Sequence, residues 1–386
     1  MTEPTPILAV DTGEGLGGGQ EVLLTLLGRL DRSRFSVVLA ANAGPLAKEA
    51  ARAGVEVITI RMPELRFSGR GLRPAAPLSV RSVGRALARA AKRSGVRVFH
   101  GNGKRAGLYA AAGAEATGLP LVWHCHNVHR GASERIYAGR MCRRASGIVC
   151  VSEAAASALP CRSRADVVPN GVDPSRFDPA ATGDAIRSEW GIPRDALVVG
   201  TLGRLDPTKG IHSLVQAASR LKSHRNLWFA AVGDAGFPRA ERYAARLRRL
   251  AQDLGIGERF LFPGRLAPEE ALAALDVFVY AGSSVHDAAP LAVLEAMAMQ
   301  RAVVAFASGG VPELVGDAGV LVESRGPDAL AAAIEPLLAD PQRRSRLGER
   351  ARARVEHEFP IGRMVEGVQR AWEEATAVRP GGGRAG

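Results

Sequence analysis

A 386-residue chain in which short β-rich runs alternate with helical patterns along both halves is predicted to fold as an α/β protein: two doubly wound parallel-sheet domains facing a central cleft. Three observations carry that expectation. The length matches two ordinary domains. The apolar fraction of 46% and charged fraction of 23% are those of a globular chain. A stretch from Val167 to Ala180, with Pro169, Pro174, Pro179 and the turn pair Asn170-Gly171, breaks the alternation, which then restarts. In the first half, strands are read at Ile7 to Val10, Ser36 to Ala40, Val55 to Ile60, Val96 to Phe99, Leu121 to His124 and Gly147 to Val151. Helical spacing falls between them, as at Gln20 to Arg29 and Val80 to Arg93. The second set is Leu197 to Gly200, Leu227 to Val232, Arg259 to Phe262, Val277 to Tyr280, Ala302 to Ala305 and Gly319 to Val322. The expected domains are 1–178 and 179–358, with 359–378 a terminal helix returning to the first domain and 379–386 a flexible tail. No repeat period recurs, which excludes a solenoid.

Composition narrows the classes further. No apolar run reaches the roughly 18 residues of a membrane span. The start lacks a basic region and a cleavage pattern, so the cytoplasm is the expected compartment. Cys125, Cys142, Cys150 and Cys161 form no Cys-x-x-Cys pair and are read as buried thiols, neither zinc knuckle nor disulfide framework. The net charge of +12 is concentrated between Arg61 and Arg105, where twelve Lys or Arg face one acid, Glu64. Arg81, Arg85 and Arg89 lie at i, i+4 and i+8, with Val80, Val83 and Leu87 on another side, which describes a basic amphipathic helix. Its two readings are a dock for an anionic membrane surface and a solvated face. Nucleic acid is not expected, because Phe67 and Phe99 are the segment's only aromatics.

Four constellations bear on chemistry. Gly13-Glu-Gly15-Leu-Gly17-Gly18-Gly19-Gln20 lies between a strand and a helix, where glycines admit a ligand to the backbone and a helix start favours phosphate. Its spacing fits a dinucleotide fingerprint, but the second strand ends Leu39-Ala40-Ala41-Asn42, without the acid that a ribose requires. A tight turn is the other reading. His124, Cys125, His126, Asn127 and His129 cluster at a strand end, open to a metal, a structural or a cleft-mouth role. Arg204 and Lys209, within Gly203 to Gly210, are two bases five apart on a glycine-bounded loop and can converge on a pyrophosphate; the alternative is an incidental surface loop. The last runs from His286 and Asp287 through Pro290 to Glu295. Pro290 suits the first turn of a helix, and Glu295 is the single carboxylate in an apolar helix, so burial would oblige it to meet hydroxyls or a cation. Ser308-Gly309-Gly310 adds another strand end with glycines.

Taken together, Val151-Ser152-Glu153, Val168-Pro-Asn-Gly-Val-Asp173 with Phe177, Gly203-Arg-Leu with Lys209-Gly210, Val232-Gly-Asp234, Phe262-Pro-Gly264 and the Asp287 to Ala298 stretch resemble, in order, the retaining glycosyltransferases of family four. That family has the GT-B fold of two Rossmann-like domains. The family's Glu, seven residues, Glu pattern stands here as Asp287 and Glu295. The resemblance implies that Arg204 and Lys209 hold the donor diphosphate, completed by backbone N–H groups near Ala289 and Leu291 beside Pro290. It assigns Glu295 to ribose hydroxyls, Asp287 to the transferred sugar, and Gly264 and Arg265 to the base. His126 falls on the family's histidine near that sugar, and Gly17 and Gly18 on its N-terminal glycine turn, with Gly203 opening the diphosphate loop.

The implied reaction is retaining transfer from a UDP- or GDP-sugar to a glycan or lipid-linked acceptor, in cell-envelope or polysaccharide biosynthesis. No cofactor and no metal are implied, and the chain contains no Asp-x-Asp. His100 and Asn102, at a strand end of the acceptor-binding domain, are expected acceptor-lining residues. The rival classes are a nucleotide-sugar epimerase, which would turn over donor alone, and a non-catalytic nucleotide-sugar binding module, which would release no nucleotide.

Overall fold

The computed structural model describes residues 3–13, 15–65, 67–68, 71–72, 76–235, 238–282 and 286–377; the expected tail from 379 onward lies outside them. The chain divides into two compact units, Met1–Asn170 with Ile361–Gly386, and Gly171–Pro360. The first contains β1 (Thr5–Asp11), α1 (Gly18–Gly28), β2 (Phe35–Ala41), α2 (Pro45–Arg52), β3 (Glu56–Thr59), β4 (Phe67–Ser68), β5 (Gly71–Leu72), α3 (Ala76–Arg93), β6 (Val98–Asn102), α4 (Gly103–Thr117), β7 (Leu121–Cys125), α5 (Ala132–Arg144), β8 (Gly147–Cys150), α6 (Glu153–Ser157) and β9 (Ala165–Val167). The second contains α7 (Asp184–Glu189), β10 (Leu197–Leu202), α8 (Ile211–Arg220), β11 (Leu227–Val232), α9 (Pro238–Asp253), β12 (Phe260–Gly264), α10 (Pro268–Ala273), β13 (Val277–Tyr280), α11 (Leu291–Ala298), β14 (Ala302–Phe306), α12 (Val311–Val315), β15 (Val320–Val322), α13 (Pro327–Ala339) and α14 (Pro341–Glu358). The chain then returns to the first unit as α15 (Ile361–Ala377).

Both main sheets are parallel, in the orders β3-β2-β1-β6-β7-β8-β9 and β12-β11-β10-β13-β14-β15. Their central strands are buried because helices cover both faces; in β1, Ile7, Leu8, Ala9 and Val10 are all fully buried. Strand order reverses between β1 and β6 in the first unit, and between β10 and β13 in the second. Adjacent loops diverge at such a point and leave room for a ligand at the strands' carboxyl ends.

Local sequence explains the covering helices. α15 buries Met364, Val365, Val368, Ala371, Trp372 and Ala375, one apolar stripe at helical spacing, and packs on β6, β7 and β8. Trp372 meets the Phe35 ring edge-on at 5.3 Å, and its Nε1–H donates to His100 Nδ1 at 3.1 Å. A buried indole of this size contributes roughly 3–5 kcal/mol. In the second unit, Ile211, Leu214, Val215 and Ala218 of α8 join Val199, Phe229, Val279 and Ile334 in one core.

Several expectations are corrected. Cys142 and Cys161 form a disulfide: α5 and the turn after α6 bring their Cα atoms to 6.0 Å, a juxtaposition invisible in a spacing of 19 residues. Cys125 and Cys150 are buried free thiols, as expected. Pro290 is the N-cap of α11, one position before the helical first turn. The Pro-rich stretch from Gly171 onward is packed into the second unit, and residue 178 lies inside it. Phe177 is buried there, and the Arg352 guanidinium donates to the carbonyls of Pro174, Phe177 and Ala298.

Candidate active site

In the second unit the loops at the carboxyl ends of five strands are tied into one rim. Gly203 N–H donates to Val232 O at 2.9 Å, Gly233 N–H to Gly264 O at 2.7 Å, and Gly310 N–H to Asp287 O at 3.0 Å. These bonds tie the ends of β10, β11 and β12 into one group and the loops after β13 and β14 into another, and the Lys209–Asp287 contact joins the two. Lys209 and Asp287 meet across the β10/β13 switch point: Nζ lies 3.2 Å from Oδ2 and 3.3 Å from Oδ1. Tyr280, the last residue of β13, donates its hydroxyl to Asp287 Oδ2 and lies 3.4 Å from Lys209 Nζ. Burial, reinforced by the Asp287 charge and hydrogen bond, raises the Tyr280 pKa well above the ordinary tyrosine value. The phenol therefore stays a donor that holds Asp287 at neutral pH.

The remaining residues of this rim occupy the same strand ends. Arg204 is exposed, one residue beyond Gly203. Gly264 ends β12, with Arg265 exposed beside it. Ala289 and Pro290 lead into α11, and the opening N–H groups at Leu291 stand at a helix start that favours anions. Glu295, one turn further on, is only partly buried. Tyr280 was missed by sequence reasoning. Its position as the last residue of a strand next to the switch point was the available signal.

The first unit carries a second constellation, again across its switch point. Asn102, last in β6, donates Nδ2–H to Asp11 Oδ2, last in β1, at 2.6 Å, and to Gly19 O at 3.0 Å. Asn102 Oδ1 lies 2.7 Å from His126 Nε2. The His126 ring sits over the start of α1, where a Cβ built on Gly19 would lie 3.5 Å away. It lies against His124, with ring centroids 4.1 Å apart and the planes tilted by 34°. Burial lowers the His126 pKa to about 4, so the imidazole is neutral. Gly17 caps α1, with its N–H on Gln20 Oε1 at 3.2 Å, and Gly18 is the first helical residue.

Two expected acceptor-lining residues are corrected here. His100 is fully buried beneath Trp372 of α15, which removes it from any surface; burial, with His126 adding, lowers its pKa to about 3. Asn102 is also buried, and its amide is committed to Asp11, Gly19 and His126. His129 turns away from the other histidines. Its Nδ1 pairs with Glu134 Oε2 at 2.8 Å, and Glu134 also pairs with Lys104. No group of three or more metal-ligating side chains is assembled among the described residues.

Residues 16–176 match the family model described as Glycosyltransferase Family 4, and residues 183–354 the model described as Glycosyl transferases group 1. Among similar proteins is a GDP-mannose-dependent monoacylated alpha-(1-6)-phosphatidylinositol monomannoside mannosyltransferase of Corynebacterium glutamicum, 36% identical over 204 residues, which cover 50% of this chain and 51% of that protein. The chain thus spans about half the length of the relatives it matches. A glycosyltransferase from Rickettsia africae has a TM-score of 0.83 at 20% identity, covering 97% of this chain and 99% of that one. HepE of Anabaena, solved with UDP and glucose, has a TM-score of 0.81 at 21% identity over 95% and 99% of the two chains. These structures share the fold. With a glycosyltransferase model matched on each unit and the same fold in solved glycosyltransferases, the chain belongs to the family-4-like glycosyltransferases of GT-B fold.

Proposed function

We propose that the protein is a retaining, metal-independent glycosyltransferase that moves a sugar from a UDP- or GDP-sugar to a glycan or lipid-linked acceptor, in cell-envelope or polysaccharide biosynthesis. The observation that carries this reading is the Lys209–Asp287–Tyr280 cluster across the β10/β13 switch point. A cation and a carboxylate held side by side offer complementary contacts to a diphosphate and to the hydroxyls of the sugar attached to it. Lys209, Arg204 and the first N–H groups of α11 take the diphosphate, Asp287 the sugar, Glu295 the ribose, and the Gly264-Arg265 segment the base. In the first unit, His126 and the Gly17-Gly18 turn are the residues that the family resemblance assigns to a role at the sugar.

As the sugar–phosphate bond stretches, negative charge grows on the diphosphate. Fixed cations and N–H dipoles stabilise that charge more than they stabilise the ground state, which lowers the barrier. Retention then follows if the acceptor hydroxyl enters on the face the phosphate leaves, with the leaving phosphate taking its proton; no side-chain nucleophile is needed. The acceptor class is argued from charge. α3 packs through Val83, Leu87 and Ala90 and exposes Arg81, Arg85, Arg89, Lys92 and Arg93, with Leu78 71% exposed on the same helix. No described helix is long and apolar enough to cross a membrane. The exposed basic face of α3 supports peripheral docking on an anionic membrane face, and the corynebacterial relative is named for a phosphatidylinositol-based acceptor.

A thermal-shift screen of UDP, GDP, ADP and their sugars tests the donor site. Ligand at a hundredfold excess over Kd stabilises by about 2.7 kcal/mol. A selective shift with one nucleotide is expected. Well-folded protein that responds to none of them overturns this reading.

A further inference from the structure

Asp11 is 1% exposed, carries a carboxylate, and has no place in the roles described so far. Three donors converge on it. Gly13 N–H reaches Oδ1 at 2.5 Å, the Gln20 amide reaches both oxygens at 3.1 and 3.2 Å, and the Asn102 amide reaches Oδ2 at 2.6 Å. Burial raises the Asp11 pKa while the Asn102, Gly13 and Gln20 hydrogen bonds pull it down; in these contacts both amides turn their NH2 groups toward its oxygens, which accept. For Asn102 the orientation is doubly determined, because its second NH2 contact, Gly19 O, is also only an acceptor. Its Oδ1 therefore faces His126 as an acceptor, and the hydrogen on that ring must sit on Nε2. Neutral His126 is then left with an unprotonated Nδ1. By the same logic, the Gln20 oxygen is turned toward Gly17 N–H.

We infer that Asp11 is a positioning residue for transfer: through Asn102 it selects which nitrogen of His126 carries the hydrogen, and through Gln20 it holds the glycine turn beside that ring. The catalytic consequence rests on the transferase reading and on His126 serving the sugar. The tautomer itself does not.

Long-range proton–nitrogen correlation on histidine-labelled full-length protein, with His126 assigned from a His126→Gln variant, reads the tautomer directly. Wild type is expected as Nε2–H at neutral pH; an Nδ1–H form or an imidazolium overturns the inference. Asp11→Asn keeps the shape but places an NH2 against Asn102. Only the Gly19 carbonyl is then left to hold the Asn102 NH2 group, so the flipped amide gains population and His126 is expected to shift toward Nδ1–H. Turnover should fall roughly 10²-fold through misalignment, with donor KM changed less than threefold and Tm close to wild type. A variant that folds and keeps Nε2–H, or keeps wild-type turnover, overturns the role. Should Asp11→Asn not fold, the wild-type spectrum still decides. If no sugar is transferred by any form, the tautomer measurement stands and only the transferase reading fails.

Discussion

Lys209 and Asp287 are each about a quarter exposed, so their ion pair contributes at most about 1 kcal/mol to stability. Its value lies in positioning charge. Lys209→Ala leaves Asp287 with the Tyr280 hydroxyl, and is expected to lower kcat by roughly 10²- to 10³-fold with Tm changed by only a few degrees. Steady-state kinetics beside a melting curve reads both, and wild-type turnover rules out the role. His129 and Glu134 make a different residue-scale case. The His129 hydrogen bond, against burial and with Lys104 adding, lowers the Glu134 pKa to about 2. Burial lowers that of His129, but hydrogen bonds with Cys125 and Glu134 outweigh it and raise the value to about 9. A depressed acid stabilises above its ordinary value and loses that contribution as pH falls toward 2. A raised base stabilises below its ordinary 6.5 and loses that contribution as pH rises through 9. Between pH 6.5 and 9.5 wild type should therefore lose more stability than Glu134→Gln, in which only the Cys125 contact still raises the His129 pKa. Parallel stability curves for the two proteins would refute the pairing.

At the scale of elements, the turn from β10 into α8 depends on Gly210. Its φ is +67°, and a Cβ there would lie 1.8 Å from the Ala281 carbonyl oxygen, so substitution must push the turn off the end of β13. Gly191 has a φ of +69° but open space around it. The comparison separates strain from collision: Gly191→Ala should cost about 1–2 kcal/mol, and Gly210→Ala clearly more, with loss of the nucleotide-induced thermal shift because Lys209 moves with the turn. Equal denaturation midpoints for the two variants would show that the turn yields without cost. α15 illustrates the other direction of control. An amphipathic helix more than 250 residues beyond β6 covers His100 and thereby decides that this histidine is core.

For the whole molecule the decisive property is uneven charge. The net +12 resides almost wholly in 61–105, and α3 displays its arginines outward while its apolar stripe packs on α4. Near an anionic bilayer each such residue is worth roughly 1 kcal/mol. Flotation with anionic vesicles should recover the protein, recovery should fall with salt, and Arg81→Glu, Arg85→Glu and Arg89→Glu together should abolish it. Equal recovery with neutral vesicles would count against membrane docking.

Much of this was legible in the chain alone. Each of the twelve strands read from local patterning is present, most of them because a strand buried on both faces is a short apolar run whatever surrounds it. β4, β5 and β9 are not legible because strands of two or three residues carry no period. The motif residues of the second unit were legible one by one, since glycines, a helix start and paired bases are local signals. What the tertiary structure alone decided is which of them meet. Lys209 and Asp287 are 78 positions apart and pair only because β10 lies beside β13; Asp11 and Asn102 are 91 apart and pair because β1 lies beside β6. Strand order, the cover of α15 over His100 and the closure of Cys142 on Cys161 are long-range choices. They are set by which apolar faces bury one another, and no window of sequence contains both partners.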